Sequence, residues 1–410
     1  MSAWDWLPLG EVCKAGSGAT PLRTVKEYYH GGTIPWLLSG EVAQGEITEA
    51  KNFITESGLK NSAAKLFPEN SVLIAMYGAT AGQVGILRFK AATNQAVCAI
   101  LPNPRFVPEF LFYVFLHLKD DLVATATGNA QPNISQIKIK NTLIPVPPIE
   151  EQRRIVAVLD EAFAAIAQAT ANAEKNLANA RELFASTIEG MLEQAAGCRS
   201  MSLLDAADEN CSLSYGIVQP GEEQAGGLPI VRPTDLQQKF IGLGPLKRID
   251  PLLASGYQRT TLRGDDLLLC VRGTTGTLSI ATPELAGGNV TRGIVPIRFN
   301  PKILSQELGY FLLLSASAQK QIKSATYGAA LMQINIRDLK QLELRIPPLA
   351  DQGALADRLD ATQADVEQLQ ANYADKIDVL TALKQSLLHR AFTGDLATTP
   401  DLAPKELLAQ

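Results

Sequence analysis

The 410-residue chain is poor in the residues that build metal centres, and it carries no excess of basic charge. Its five cysteines (Cys13, Cys98, Cys198, Cys211, Cys270) form no C-x-x-C pair. Its three histidines (His30, His117, His389) have neither metal-ligand nor triad spacing. A zinc site and a disulfide framework are therefore not expected, and the cysteine usage suggests a reduced, cytoplasmic chain. A net charge of −5 excludes a uniformly basic coat but leaves a local basic face open. The opening Met1-Ser2-Ala3-Trp4-Asp5-Trp6 lacks the basic and apolar regions of a signal peptide. The strongly apolar runs, such as Leu267 to Val271, are far shorter than a bilayer requires, so no membrane association is expected. What is present, 46% hydrophobic and 19% charged residues, is ordinary globular composition, and the length suggests two or three domains.

Catalytic signatures are also missing. Gly16-Ser17-Gly18 lacks the third glycine of a dinucleotide fingerprint and the Lys-Ser/Thr of a P-loop, and is read as turn glycines. Asn103-Pro104-Arg105-Phe106 differs from the Asn-Pro-Pro-Tyr/Phe motif of adenine methyltransferases at its second proline, and no glycine-rich methyl-donor site precedes it. No paired-carboxylate nuclease core is found. The chain is expected to be non-catalytic and to need no metal.

The chain does repeat itself. Ile144-Pro145-Val146-Pro147-Pro148-Ile149-Glu150-Glu151-Gln152 returns two hundred residues later as Leu344-Arg345-Ile346-Pro347-Pro348-Leu349-Ala350-Asp351-Gln352. Leu159-Asp160 matches Leu359-Asp360, Ser186 matches Ser386 and Gly128 matches Gly328. Upstream the offset drifts, with Gly78 opposite Gly273 and Pro35 opposite Pro229. The period is too long for a solenoid and indicates a duplicated two-part unit.

The segments after each proline pair read as long helices, since no proline follows for more than forty residues. Val366, Tyr373, Leu380 and Leu387 make a heptad stripe, matched by Ile166, Ala173, Ala180 and Thr187. About forty residues give a rod of roughly 60 Å. Two such stripes in one chain are able to bury each other.

The remaining segments hold short β-like runs, such as Ser71 to Met76, Gln83 to Leu87, Ala96 to Ile100, Asp266 to Val271 and Gly293 to Ile297, with helical stretches near Pro108 to Leu118 and Gln306 to Lys323. Each is read as an α+β domain. The predicted division is 1–146 and 198–346 for the globular domains, 147–197 and 347–396 for the long helices, and 397–410 for a tail. Residues 1–149 carry +1 and 198–349 carry +3, whereas 150–197 carry −4 and 350–394 carry −3. Mildly basic globular parts suit phosphate, and acidic helices suit protein.

Candidate DNA-binding residues lie on the glycine-punctuated loops. In the first half they are Arg23, Ser39, Tyr77, Thr80, Asn94, Gln95, Asn129, Gln131 and Asn133; Tyr28 and Tyr29 flank them. In the second half they are Tyr215, Arg232, Arg272, Thr274, Thr275, Arg292, Tyr327 and Gln333. Asn and Gln pair bidentately with adenine and Arg with guanine, and loops on a rigid sheet are where binding residues collect.

These motifs together resemble the DNA-specificity subunit of type I restriction-modification systems over nearly the whole chain. Leu7 to Val12, Gly16 to Pro21, Gly32 to Trp36 and Ser39 to Val42 are similar to the opening of a target-recognition domain of that family; Asn94 to Val97 and Pro145 to Val156 are similar to its later landmarks. Ser214 to Gly221 and Leu228 to Arg232 resemble a second recognition-domain subtype, and Leu387 to Leu396 resembles the family's C-terminal close. Ala350-Asp351-Gln352-Gly353 and Thr291-Arg292 depart from the pattern of the first half. The resemblance implies two tandem recognition domains, each followed by a long helix, with the helices forming an antiparallel, pseudo-twofold coiled coil. It implies partners: double-stranded DNA, two methyltransferase subunits carrying S-adenosylmethionine, and motor-nuclease restriction subunits, with no cofactor in this chain. Alternatives are a subunit of a related methylation-plus-double-cleavage system, a coiled-coil scaffold without a DNA role, and, least in keeping with the missing donor site, a self-sufficient methyltransferase.

Overall fold

A computed structural model describes residues 4–126, 133–328 and 332–393. The chain divides into two compact units. The first comprises residues 1–172 with 376–410, the second residues 173–375.

In the first unit, apolar runs become strands covered on both faces, as uninterrupted hydrophobic sequence requires. A five-stranded sheet has the order Ala15–Ser17, Val97–Ile100, Val72–Ala75, Val84–Leu87, Glu46–Ile47. Its pairs are antiparallel except the last, which is parallel. Val72 and Ile74 enter the core under the helix Pro108–His117, and Leu73 and Ala75 enter a second core with Leu37, Val42 and Ile47. Side chains on a strand alternate between its faces, so four apolar residues in a row serve two cores. A smaller sheet places Ile34–Leu37 between Phe53–Ile54 and Ala91–Thr93.

The second unit repeats this plan. Its main sheet runs Phe240–Ile241, Leu278–Ala281, Leu267–Cys270, Ile294–Ile297, again with a parallel outer pair and an antiparallel remainder. Leu267 and Leu269 face one core, Leu268 and Cys270 the other. Leu228–Val231 lies between Lys247–Ile249 and Asn289–Val290 in the smaller sheet. The helical stretch expected near Gln306 to Lys323 is two helices, Gln306–Leu314 and Ala316–Ser324. Ser315 takes an extended backbone, and its hydroxyl accepts a hydrogen bond from the Ala318 amide at 3.3 Å, which starts a new helix there.

Each proline pair is followed by one long helix, Ile149–Gln194 or Leu349–Thr393. The shared glutamine explains itself. Gln152, fully buried, accepts from the Val107 amide at 2.9 Å and donates to the carbonyls of Arg105 and Pro147 at 2.9 and 3.0 Å. Gln352 accepts from Ser305 at 2.8 Å and donates to Ile303 and Pro347 at 2.8 and 3.0 Å. The amide latches each helix start to the loop before its domain's own helix. The degenerate residues around Gln352 leave this latch intact.

In the first unit, the opening turns of one long helix and the closing turns of the other share a core: Leu159 packs with Leu388 and Phe392, and Phe392 meets Phe110 edge-on at 5.7 Å. Lys384 Nζ sits 4.9 Å over the Phe163 ring. In the second unit the roles exchange, with Ile188 and Leu192 sharing a core with Leu355 and Leu359. In each unit, the start of one helix therefore lies with the end of the other, the antiparallel sense that was expected. Ile166, Ala173 and Ala180 are buried, as are Val366 and Leu380. At the ends the seam slips by one residue, from Thr187 to Ile188 and from Leu387 to Leu388, because there the helix turns its face to a domain core. By length and composition alone, the alanine-rich first long helix is long and apolar enough to cross a membrane, a feature that a single helix in a chain carries only as weak evidence of a span.

Candidate nucleic-acid interface

In the first unit, three strand ends converge. The Met76 amide donates to Ala96 O at 2.8 Å, the Asn94 amide to Leu37 O at 3.0 Å, the Ala19 amide to Thr93 O at 3.0 Å and the Ile134 amide to Met76 O at 2.8 Å. These bonds bring Tyr77, the Asn94-Gln95 turn, Ser39 and Asn133 to one edge. Tyr77 and Asn133 face each other across an isolated bridge. Tyr77 is exposed, and Thr80 Oγ1 donates to its carbonyl at 3.3 Å, closing the short turn Gly78–Thr80. Asn94 Oδ1 accepts from the Ala96 amide at 3.1 Å, which shapes the turn, while exposed Gln95 accepts from the Thr20 hydroxyl. Arg23 stands in an exposed turn and acts on Tyr29 through its charge; burial nonetheless pushes that phenol above its ordinary value. Tyr29 meets Trp36 edge-on at 5.9 Å and donates to Pro21 O, which makes it part of the support.

The second unit builds the same frame from different residues. The Val271 amide donates to Gly293 O at 2.8 Å, Thr291 to Val231 O at 2.9 Å, Ile217 to Val290 O at 2.8 Å and Ile334 to Val271 O at 3.0 Å. Arg272 stands where Tyr77 does and bridges to Gln333, as Tyr77 does to Asn133. Arg292 is exposed in the turn that corresponds to Asn94-Gln95. Thr275 Oγ1 accepts from Thr326 at 3.3 Å, and Thr274 Oγ1 lies 3.6 Å from Cys270 Sγ. Tyr215 donates to Ile334 O at 2.7 Å; burial raises its pKa, and Tyr327 and Arg292 are close enough to act on it electrostatically. Gln333 Nε2 donates to Tyr327 Oη at 3.1 Å.

Most candidates thus gather at one edge of their own unit. Arg232 is drawn aside: its guanidinium pairs with Asp235 at 2.9 Å, and its amide donates to the same carboxylate at 2.8 Å. Asn129 and Gln131 lie outside the described residues. Sequence reasoning missed Glu41, a buried carboxylate that accepts from the Leu38 and Lys51 amides at 2.8 and 2.9 Å and so shapes the loop carrying Ser39. Asp235 does the same for Arg232. Both acids lie three residues beyond the amide they accept from, a capping spacing visible in the sequence. Asn335, which accepts from Tyr327 Oη at 2.7 Å, was also missed.

The model of the type I restriction modification DNA specificity domain matches residues 1–176 and 219–375. The chain is 29% identical over 162 residues to the type I restriction enzyme EcoR124I/EcoR124II specificity subunit of Escherichia coli, a match spanning 38% of this chain and 40% of that relative. It is 23% identical over 345 residues to the EcoBI specificity subunit of Escherichia coli, spanning 77% and 73% of the two chains. A chain solved in a study of complex assembly and conformational transition of the type I R-M system shares the fold, with a TM-score of 0.74 over 95% of this chain and 97% of that one at 22% identity.

Proposed function

The chain belongs to the type I restriction-modification DNA specificity family, and from that premise we propose that it is the non-catalytic subunit that reads a split, asymmetric target in double-stranded DNA. Specificity subunits of this family bind DNA and assemble with the other subunits of the system. One observation carries the reading: four matched backbone hydrogen bonds build the same strand-end frame twice, and the side chains hung on it differ. Tyr77 and Asn133 stand in one unit where Arg272 and Gln333 stand in the other. A reader of two unlike half-sites needs that arrangement, because base edges are distinguished by the donors and acceptors opposite them.

Each unit reads one half-site. The long helices set the gap and dock two methyltransferase subunits, which supply S-adenosylmethionine, and the motor-nuclease restriction subunits join through these. The chain works in the reducing cytoplasm, where its five free cysteines, four of them buried, remain thiols.

Methylome sequencing of a host with and without the chain tests this. One bipartite, non-palindromic motif should depend on it. Exchanging residues 1–146 for another recognition domain should change one half of that motif. A change in both halves, or in neither, refutes the division of labour. Retention of duplex DNA by the complex with the methyltransferase subunit should weaken steeply with salt; no retention at low salt would favour a scaffold without a DNA role.

A further inference from the structure

We propose that Tyr327 and Asn335 are positioning residues that fix the polarity of the Gln333 amide, so that the second unit reads an exocyclic amino group, adenine N6 or cytosine N4, at one position of its half-site. The inference rests on the DNA-reading function and adds to it which chemical group is read.

Three side chains form a directed relay. Gln333 Nε2 donates to Tyr327 Oη at 3.1 Å, and Tyr327 Oη donates to Asn335 Oδ1 at 2.7 Å. A phenol has one proton. Once that proton is given to Asn335, the oxygen accepts from Gln333, and one of the two Gln333 Nε2 protons is engaged, which fixes which end of the amide is nitrogen and which is oxygen. Among the described residues no hydrogen bond claims Gln333 Oε1, so an acceptor is left for a ligand. In the major groove an acceptor matches the amino groups of adenine and cytosine and is opposed by the carbonyls of guanine and thymine.

A second observation separates this relay from ordinary surface bonding. Asn335 is the N-cap of the helix Ile336–Lys340, with the extended backbone of a cap (φ −73°, ψ 144°), yet its side chain makes no cap bond. Ser135 holds the same place in the first unit, and its hydroxyl accepts from the Lys138 amide at 3.3 Å. The local use of Asn335 is given up, and its oxygen goes to Tyr327. Tyr327 itself is 43% exposed on the short ribbon Thr326–Tyr327 with Gln333–Ile334, at the edge shared by Arg272.

The test uses the complex assembled with its methyltransferase subunits and maps the methylated motif. In the wild type, the position concerned carries adenine or cytosine. Y327F frees the amide, and discrimination there should fall about tenfold, while the half-site of the first unit stays unchanged. N335D should keep the wild-type motif, since a carboxylate only accepts and preserves the direction of the relay. Duplexes with purine replacing adenine, or with the N4 amino group of cytosine removed, tell which amine is read, by about tenfold weaker binding of the one that matters. An unchanged motif in Y327F, or an altered one in N335D, overturns the proposal. A wild-type complex that neither binds nor methylates DNA instead overturns the DNA-reading function on which it rests.

Discussion

Gly18 passes so close to the neighbouring strand that a Cβ there would lie 2.0 Å from Thr93 O, and a Cβ on Gly216 would lie 2.0 Å from Val290 O. At these points the Ala19 and Ile217 amides bond to the same two carbonyls. Only a residue without a side chain lets the backbone reach the frame that holds the candidate edge. Gly18→Ala and Gly216→Ala should each destabilise their unit by about 2–3 kcal/mol, the cost of overpacking a site that cannot relax. Gly16→Ala, which meets nothing within 4 Å, should be nearly neutral. Urea midpoints of the three variants check this, and a Gly18→Ala midpoint equal to that of Gly16→Ala would show that the frame yields. In the sequence, Gly16 and Gly18 read alike as turn glycines. The distinction was illegible because the strand that Gly18 meets lies some seventy-five residues away. Gln152 and Gln352 were the reverse case. Their recurrence beside the proline pairs marked them, though only their buried bonds show that the repeat preserves a latch.

At the scale of the element, the helix Pro108–His117 is held by the closing turn of the second long helix. His117 stacks on Phe392 at 5.5 Å and meets His389 at 5.7 Å. Lys119, Asp120 and Lys384 line the recess around the pair, and Asp121 opposes the other influences. Burial, and then the charge of His389, lower the His117 pKa below its ordinary value of 6.5. The folded chain thus holds this ring neutral where the unfolded chain would protonate it. Its stabilising contribution is complete above pH 6.5 and is lost as the pH falls from there through the lowered folded pKa. His117→Phe, which keeps a ring against Phe392, should lose less stability than the wild type between pH 7.5 and 5.5, as read by urea midpoints at both pH values. An equal loss would place the titration elsewhere. Helix existence was legible from the proline-free heptads, and strands from the apolar runs. The break at Ser315 went unread although a serine is a good helix N-cap, because the apolar pattern runs on through it; the slip from Leu387 to Leu388 was not legible, since it depends on which core the helix faces at that point.

At the scale of the whole chain, the duplication was the most legible feature, because the proline pair, the latch glutamine and the buried leucine seven residues on (Leu159 and Leu359) recur unchanged where sequence changes cost buried bonds or packing, while the seam beyond them keeps its spacing and not its residues. Positions on the strand-end frame were free to differ once the backbone bonds held them, so the offset drifts there and individual reading residues could not be singled out. Arg232 shows the consequence: by residue type it suits guanine, yet Asp235 engages it. The proposed measuring role of the helices follows from the same economy. Positions 152, 159, 166, 173 and 180 are all buried, and seven residues is therefore the step that lengthens a helix without turning its seam away. Adding one heptad to both helices, between 173 and 180 and between 366 and 373, lengthens each by roughly 10 Å, or about three base pairs at 3.4 Å each. The methylated motif should keep both half-sites and gain about that spacing. A heptad in one helix alone leaves the antiparallel partner a turn pair short and should abolish methylation. An unchanged gap in the double insertion would mean that the partner subunits, not these helices, set the distance between half-sites.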